Sequence, residues 1–293
     1  MTSFTEVHKQ LTHYGAPELA AYVVDDGWPD VKAGFWSFNK KFPNKLTNVT
    51  ALCKEMGSKF GLWLGPRGGY TRPDKIAKRY QRAGNGYLNK EARDICVAST
   101  KYIEKLGDFL VETTNEFDID YWKLDGFCLK PCLNEKHDHM VGGYEDMYFV
   151  TDMWQKWIAL YDKLRAAKPD IWINMTCYVN VSPWWLQWVN SLWVQNSGDI
   201  GFAKNLENQA QVDKEITYRD ARYFDCLCTR ALQIPLKNLY NHEPIYGNTA
   251  HVDYTDEEFE KYIYWCTVRG QALNELHLSV NMMNESKWTS LAA

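Results

Sequence analysis

The run Tyr121-Trp122-Lys123-Leu124-Asp125-Gly126 decides how the rest of the chain is read. Strand side chains alternate between faces, so Tyr121, Lys123 and Asp125 point one way while Trp122 and Leu124 point the other. In a β/α barrel the first set faces the interior near the mouth, where the loops that follow the strands converge. Similar short apolar runs recur along the sequence. Strands are expected over Ala20–Asp25, Lys59–Leu64, Tyr121–Leu124, Ile171–Cys177, Ser191–Gln195, Leu236–Tyr240 and Leu273–Leu278. Helices are expected between them over Val49–Met56, Arg93–Asn115, Met147–Ala167 and Asp256–Val268. The last opens on Thr255 and Glu258, which have the spacing of a capping box. Strands and helices in alternation build a parallel sheet.

The fold expected is therefore α/β, a (β/α)8 TIM barrel. A single domain over residues 1–293 is the simplest organisation, because no Gly/Ser linker, low-complexity tract or repeat divides the chain. The strand count stops at seven, whereas a closed barrel needs eight, since an unclosed sheet leaves unpaired backbone at its edges. Ser3–Tyr14 reads as a helix ahead of the first visible strand, and Ser286–Ala293 as the opening of a last helix. Either one strand is hidden from this reading or the barrel lacks its first.

Composition narrows the function classes. The chain is 45% apolar and 24% charged, an ordinary globular balance. A formal net charge of −4 gives no reason to expect nucleic acid or an anionic membrane as partner. The 13 Trp, 18 Tyr and 12 Phe are the unusual feature. Flat aromatic faces suit the apolar faces of sugars, although any one of them can equally be a core side chain. No apolar run reaches transmembrane length and no basic-then-apolar leader follows Met1, so a cytoplasmic protein is expected, or a secreted one if this is an excised domain. Of the eight Cys, Cys53, Cys96, Cys177 and Cys266 read as small buried hydrophobes. Cys128 and Cys132, followed by His137 and His139, invite a zinc reading. Their spacing fits no common zinc pattern, so no metal is expected.

Polar residues gather at the expected strand ends. Tyr22-Val23-Val24-Asp25-Asp26-Gly27-Trp28 is an apolar strand that ends on two adjacent carboxylates. Burying both without partners costs several kcal/mol each, roughly. Sugar hydroxyls are suitable donors to them, and a helix N-cap with a loop salt bridge is the structural alternative. Lys123, two residues before Asp125, favours the ionised carboxylate that a nucleophile needs. A glycosidase also requires a second carboxyl group across the bond it cleaves. Asp199, in Trp193-Val194-Gln195-Asn196-Ser197-Gly198-Asp199, is the candidate. Asp220 and Asp225 compete with it, though nearby arginines make them equally suited to ion pairs.

At these residues the chain resembles glycoside hydrolase family 36 and its α-galactosidase clan. The resemblance is carried by Asp25–Trp28, by Lys41-Phe42-Pro43, by Gly61-Leu62-Trp63 and by Lys123-Leu124-Asp125, and it runs in order from about Tyr22 to Trp288. It implies a barrel enzyme that uses no cofactor and hydrolyses terminal α-linked galactose or N-acetylgalactosamine with retention. Residue by residue it implies Asp25, Asp26 and Lys123 holding sugar hydroxyls, Asp125 as nucleophile and Asp199 as acid/base. Trp28, Trp63 and Trp184 are the candidates for lining the sugar pocket.

The sequence departs from the family in three places. Thr176-Cys177-Tyr178-Val179-Asn180 lacks a glycine-rich run common there, which keeps N-acetyl and 2-amino sugars open. Asn196–Asp199 carries fewer acids than is usual. The β-sandwich before the barrel and the β-domain after it are absent from this sequence, as expected of an excised or truncated core. The competing readings are a carbohydrate-binding barrel without activity and, more remotely, a metal enzyme using His137, Asp138 and His139.

Overall fold

The computed structural model describes the chain apart from Met1, Gly34, residues 143–146, residues 177–180, Gln195, Thr249 and His251, and describes Thr2 by its backbone alone. The expected strand ends at Cys177 and Gln195, and the segment Cys177–Asn180, lie outside the described residues. The fold is mixed α/β with parallel strand pairing. The chain groups into two compact units, one of residues 20–180 and 187–190, the other of residues 1–19, 181–186 and 191–293.

The first unit carries strands β1 (Ala21–Val24), β2 (Lys59–Leu64), the short hairpin β3 (Leu88–Asn89) and β4 (Asp94–Ile95), then β5 (Tyr121–Leu124) and β6 (Trp172–Met175). Its helices, with α1 reserved for the N-terminal helix of the other unit, are α2 (Thr47–Glu55), α3 (Pro73–Arg82), α4 (Thr100–Phe117) and α5 (Met147–Ala167). Strands β1, β2, β5 and β6 pair in that order and all in parallel, with Trp63, Lys123 and Asn174 in one lateral row. Helices between parallel neighbours cover the sheet, as crossover connections require.

The alternation of β5 is used on both faces. Trp122 is fully buried toward α4, where its indole N–H donates to Thr114 Oγ1 at 2.9 Å. Tyr121 and Lys123 occupy the opposite face. Gly61 is where β2 lets the Tyr121 ring lie across it, since a Cβ there would stand 2.5 Å from Tyr121 Cδ1 and 2.9 Å from Val23 Cγ2. Helix α4 begins at Thr100 and not at Arg93, because Ser99 caps it by accepting from Tyr102 N and residues Asp94–Ile95 are taken by the hairpin.

The second unit contains α1 (Thr2–His13), β7 (Ser191–Trp193), α6 (Gln211–Phe224), β8 (Leu239–Tyr240), β9 (Ile245–Tyr246), α7 (Asp256–Val268), β10 (His277–Leu278) and α8 (Glu285–Ala292). β7 pairs with β8, and β9 with β10, both in parallel. β9 was not expected from the sequence. Leu236–Asn238, expected as strand, forms a 3-10 turn before β8. Phe259 and Tyr262 of α7 pack with Tyr246, Tyr254 and Val212 in an aromatic core. The capping box of α7 is present, with Thr255 Oγ1 accepting from Glu258 N at 3.2 Å and Glu258 Oε2 accepting from Thr255 N at 2.9 Å. Among the described residues, no helix is long and apolar enough to cross a membrane.

Candidate active site

In the first unit five of the expected site residues gather at the C-terminal ends of β1, β2 and β5. Lys123 is buried and its ammonium pairs with Asp25 Oδ2 at 2.9 Å, the Asp25 side chain staying 47% exposed. The other Asp25 oxygen accepts from Asp26 N at 2.7 Å, and Asp26 Oδ1 accepts from Gly27 N at 2.7 Å. The turn after β1 thus feeds its own N–H groups to the two carboxylates. Burial pushes the Asp26 carboxyl above its ordinary value against the Gly27 hydrogen bond, and the charges of Asp25 and Asp125 push the same way.

Asp125 continues β5 beyond Leu124, its N–H donating to Leu64 O at 2.9 Å. Its two carboxylate oxygens are held separately: Oδ2 accepts from the Trp63 indole at 3.1 Å, and Oδ1 from the Tyr70 hydroxyl at 2.8 Å. Gly126 follows with φ of +80°, and a Cβ on it would stand 2.9 Å from Arg67 Nε. That close approach lets Arg67 donate to Gly126 O at 3.0 Å while its other arm pairs with Asp94 at 2.8 Å. Beside this cluster, Asn174 donates to the Tyr121 hydroxyl at 2.6 Å.

Trp63 and Trp28 differ in what they do. Trp63 is buried but aims its N–H at Asp125. Trp28 has no exposed surface; its indole donates to Trp63 O at 2.7 Å and its rings pack against Trp36, Phe38 and Phe109. Its side chain supports the Trp63 backbone from the core. Tyr70, Arg67 and Asn174 were missed in the sequence. Tyr70 sits in a glycine-rich loop directly after a strand, the position that a barrel-mouth reading should have searched.

Asp199 and Trp184 belong to the second unit. Trp184 stands on a 3-10 turn and is 66% exposed. The Asp199 side chain is 73% exposed, with Oδ1 3.6 Å from His242 Nε2. His242 Nδ1 meets Glu275 Oε2 at 2.8 Å, and the rings of His242 and His277 lie 4.1 Å apart. The backbone around Asp199 is fixed by the fully buried Arg219, which donates to Ser197 Oγ at 2.9 Å, to Gly198 O at 2.7 Å and to Asp199 O. Asp220 lies on α6 and accepts from the Trp265 indole at 3.1 Å, and Asp225 pairs with Arg230 at 2.9 Å. The run His137-Asp138-His139, in the first unit, is divided in use: Asp138 accepts from the N–H groups of Thr100 and Lys101 at 3.2 and 3.1 Å, capping α4.

A carboxylate with both oxygens occupied by neutral donors, beside a Lys–Asp pair and a third carboxyl, is an arrangement suited to a polyhydroxylated ligand. Neither a protein-family model nor a curated protein matches the sequence. Solved structures do match. Over 99% of this chain the fold is similar to that of a variant of the GH36 α-galactosidase AgaA from Geobacillus stearothermophilus bound to 1-deoxygalactonojirimycin, with TM-score 0.64, 12% identity and 38% of that enzyme covered. The likeness is one of fold. An α-galactosidase from Lactobacillus brevis gives TM-score 0.64 at 13% identity, with 99% of this chain and 37% of that one covered. Other variants of AgaA were crystallised with stachyose and with raffinose. A chitinase from Rhizomucor miehei is more distant, with TM-score 0.51 at 13% identity, 94% of this chain and 93% of that one. The chain spans about 38% of the length of the AgaA enzyme.

Proposed function

We propose that this chain is the catalytic core of a retaining exo-α-glycosidase of the (β/α)8 barrel type, acting on terminal α-linked galactose or N-acetylgalactosamine. The observation that carries the reading is the Asp125 carboxylate at a strand end, held on each oxygen by Trp63 and Tyr70, beside Lys123, Asp25 and Asp26. The fold shared with α-galactosidases, among them enzymes seen with raffinose and stachyose, supports the substrate class.

In this mechanism Asp25, Asp26 and Lys123 hold the sugar hydroxyls. An Asp125 oxygen attacks the anomeric carbon, and the bond to the leaving oxygen breaks as that oxygen takes a proton from Asp199. Asp199 then removes a proton from water, which attacks the same carbon and frees Asp125. The exposure of Asp199 suits a group that must exchange its proton with water between turnovers. Trp63 would line the pocket beside Asp125, and Trp28 would act through Trp63.

A panel of aryl α-galactosides and aryl α-N-acetylgalactosaminides tests activity and sugar together. Wild-type turnover is expected with one of them and none with Asp125→Ala. NMR of the first sugar released should show the α-anomer, and a β-anomer would refute the double displacement. The second reading, a binding barrel without activity, is favoured by His242, at 3.6 Å, being the one ion-pair partner of Asp199 among the described residues. It predicts galactose binding by calorimetry with no turnover of any panel member.

A further inference from the structure

A second cluster of reactive side chains in the first unit has no part in the proposed chemistry. Cys96 lies between β4 and the Ser99 cap of α4, and Cys132, His137 and His139 lie on the loop that runs on from Asp125 and Gly126. One ligand-capable atom of each, two sulfurs and two ring nitrogens, falls within 4.8 Å of every other. Cys132 Sγ stands 3.3 Å from His137 Nδ1. Tetrahedral zinc, with Zn–S of about 2.3 Å and Zn–N of about 2.0–2.1 Å, separates its ligand atoms by roughly 3.3–3.8 Å. The cluster therefore needs to close by about 1.5 Å at most.

The histidines are already oriented. His139 Nδ1 faces the Met140 carbonyl at 3.1 Å, which places its proton there and leaves Nε2 with a lone pair. That Nε2 is buried with no oxygen or nitrogen partner among the described residues, and the His139 ring instead meets the Cys132 thiol. A buried ring nitrogen that meets a thiol sulfur in this way can share a cation with it. The His137 ring stacks on Tyr87 at 4.3 Å and has Asn134 3.0 Å from Nε2, so Nδ1 is held toward the sulfurs. Metal binding at Nδ1 puts the proton on Nε2, which requires the Asn134 amide to turn over, exchanging the hydrogen bond that its oxygen accepts from Lys136 N at 3.0 Å for one from the imidazole. Asp138 is committed to capping α4, and the Cys128 thiol lies 3.6 Å from Lys130 O.

We propose that Cys96, Cys132, His137 and His139 bind one structural zinc ion. Two sulfurs and two imidazoles in a tetrahedron are the donor set that selects zinc, and four protein ligands leave no open position for catalysis. The ion would pin the loop after β5 to the loop before α4. Both loops also meet at Arg67, which joins Asp94 to the Gly126 carbonyl, so the pinned segment begins one residue after Asp125.

The full chain, purified in reductant without chelator, should carry about one zinc per chain by elemental mass spectrometry. After removal of zinc, cobalt(II) should give the intense visible bands of a tetrahedral site and thiolate-to-cobalt charge transfer. Zinc should raise the melting temperature of the stripped protein. Cys132→Ser and His139→Ala should abolish stoichiometric binding, and Cys128→Ser should retain it. Protein that takes up neither zinc nor cobalt would overturn the proposal, as would an octahedral cobalt spectrum or a native Cys96–Cys132 disulfide on peptide mapping. Equal loss of metal in Cys128→Ser would overturn the ligand set. The cobalt spectrum of the wild-type protein requires no variant to fold, and none of these readouts depends on glycosidase activity.

Discussion

Replacing Lys123 by methionine separates a sugar-binding lysine from a merely structural ion pair. The Lys123 side chain is only 5% exposed, and its ammonium is 2.9 Å from Asp25. At an effective dielectric of about 20 the gross attraction is about 6 kcal/mol. Burying the ammonium costs several kcal/mol, roughly, and offsets most of it. Breaking a pair costs most when the remaining charge is trapped, but Asp25 is 47% exposed and water can solvate it. Methionine keeps the apolar stem in place. The expected loss of folding stability in Lys123→Met is therefore about 1 kcal/mol or less. Binding should respond differently. A charged donor to a sugar hydroxyl contributes about 1.5–3 kcal/mol, which is roughly 10–100-fold in affinity or kcat/KM. Urea unfolding followed by circular dichroism measures the first quantity, and galactose calorimetry or aryl glycoside kinetics the second. A variant that loses 3 kcal/mol or more of stability, roughly the penalty of a broken buried pair, would mean that the pair is structural. Unchanged stability with unchanged sugar affinity would remove Lys123 from the binding role.

Two further substitutions probe the same face. Gly61→Ala forces a Cβ to 2.5 Å from the Tyr121 ring and should cost about 1–3 kcal/mol, a fall in Tm of about 2–4 °C per kcal/mol. The penalty should shrink in a Tyr121→Leu background, and an equal penalty there would refute the contact as its cause. Because the Asp26 carboxyl is raised by burial and by its acidic neighbours, its contribution favours folding below the ordinary value of 3.8 and is lost as pH rises through the folded value. Asp26→Asn should accordingly be more stable than wild type at neutral pH, with the gap in Tm closing toward pH 3–4, roughly; a gap that widens in acid would contradict the sign.

The elements legible in the sequence were those whose pattern is local. β2 and β5 lie where alternation and β-branched or aromatic content placed them, and α5 and α7 match their periodic segments, α7 helped by its capping box. The helices α3 and α6 were overlooked because most of their residues are charged or polar. Only Ile76, Ala77 and Tyr80 in α3, and a few positions in α6, are buried. At the site, the Asp25–Lys123 pair joins residues 98 positions apart and has no local signal. Tyr70 and Arg67 act from a loop, where no periodicity marks a side chain's direction. Cys96 read as a buried hydrophobe because its neighbours Ile95, Val97 and Ala98 are apolar; its proximity to Cys132 depends on how two loops fold.

The two carboxylates assigned to the reaction are prepared in different ways, and the difference follows their proposed tasks. A nucleophile must present one oxygen at a fixed angle to the anomeric carbon, so its side chain has to be held before substrate arrives. Asp125 is held in that manner, through Trp63, whose own carbonyl is fixed by the buried Trp28, and through Tyr70. An acid/base must give up a proton and recover one from water in each cycle, so holding its carboxyl with fixed donors would oppose half of its work. Around Asp199 the fixed part is the backbone, clamped by Arg219, while the carboxyl reaches into solvent near His242. If this division is right, weakening the two supports has distinguishable consequences. Trp63→Phe should depress the first step, the attack by Asp125, and so lower kcat/KM for activated and unactivated leaving groups alike. Arg219→Met should depress turnover mainly of substrates whose leaving group needs protonation, sparing an aryl glycoside with an acidic phenol. Equal losses on both substrates in the Arg219 variant would mean that the clamp serves stability and not the acid.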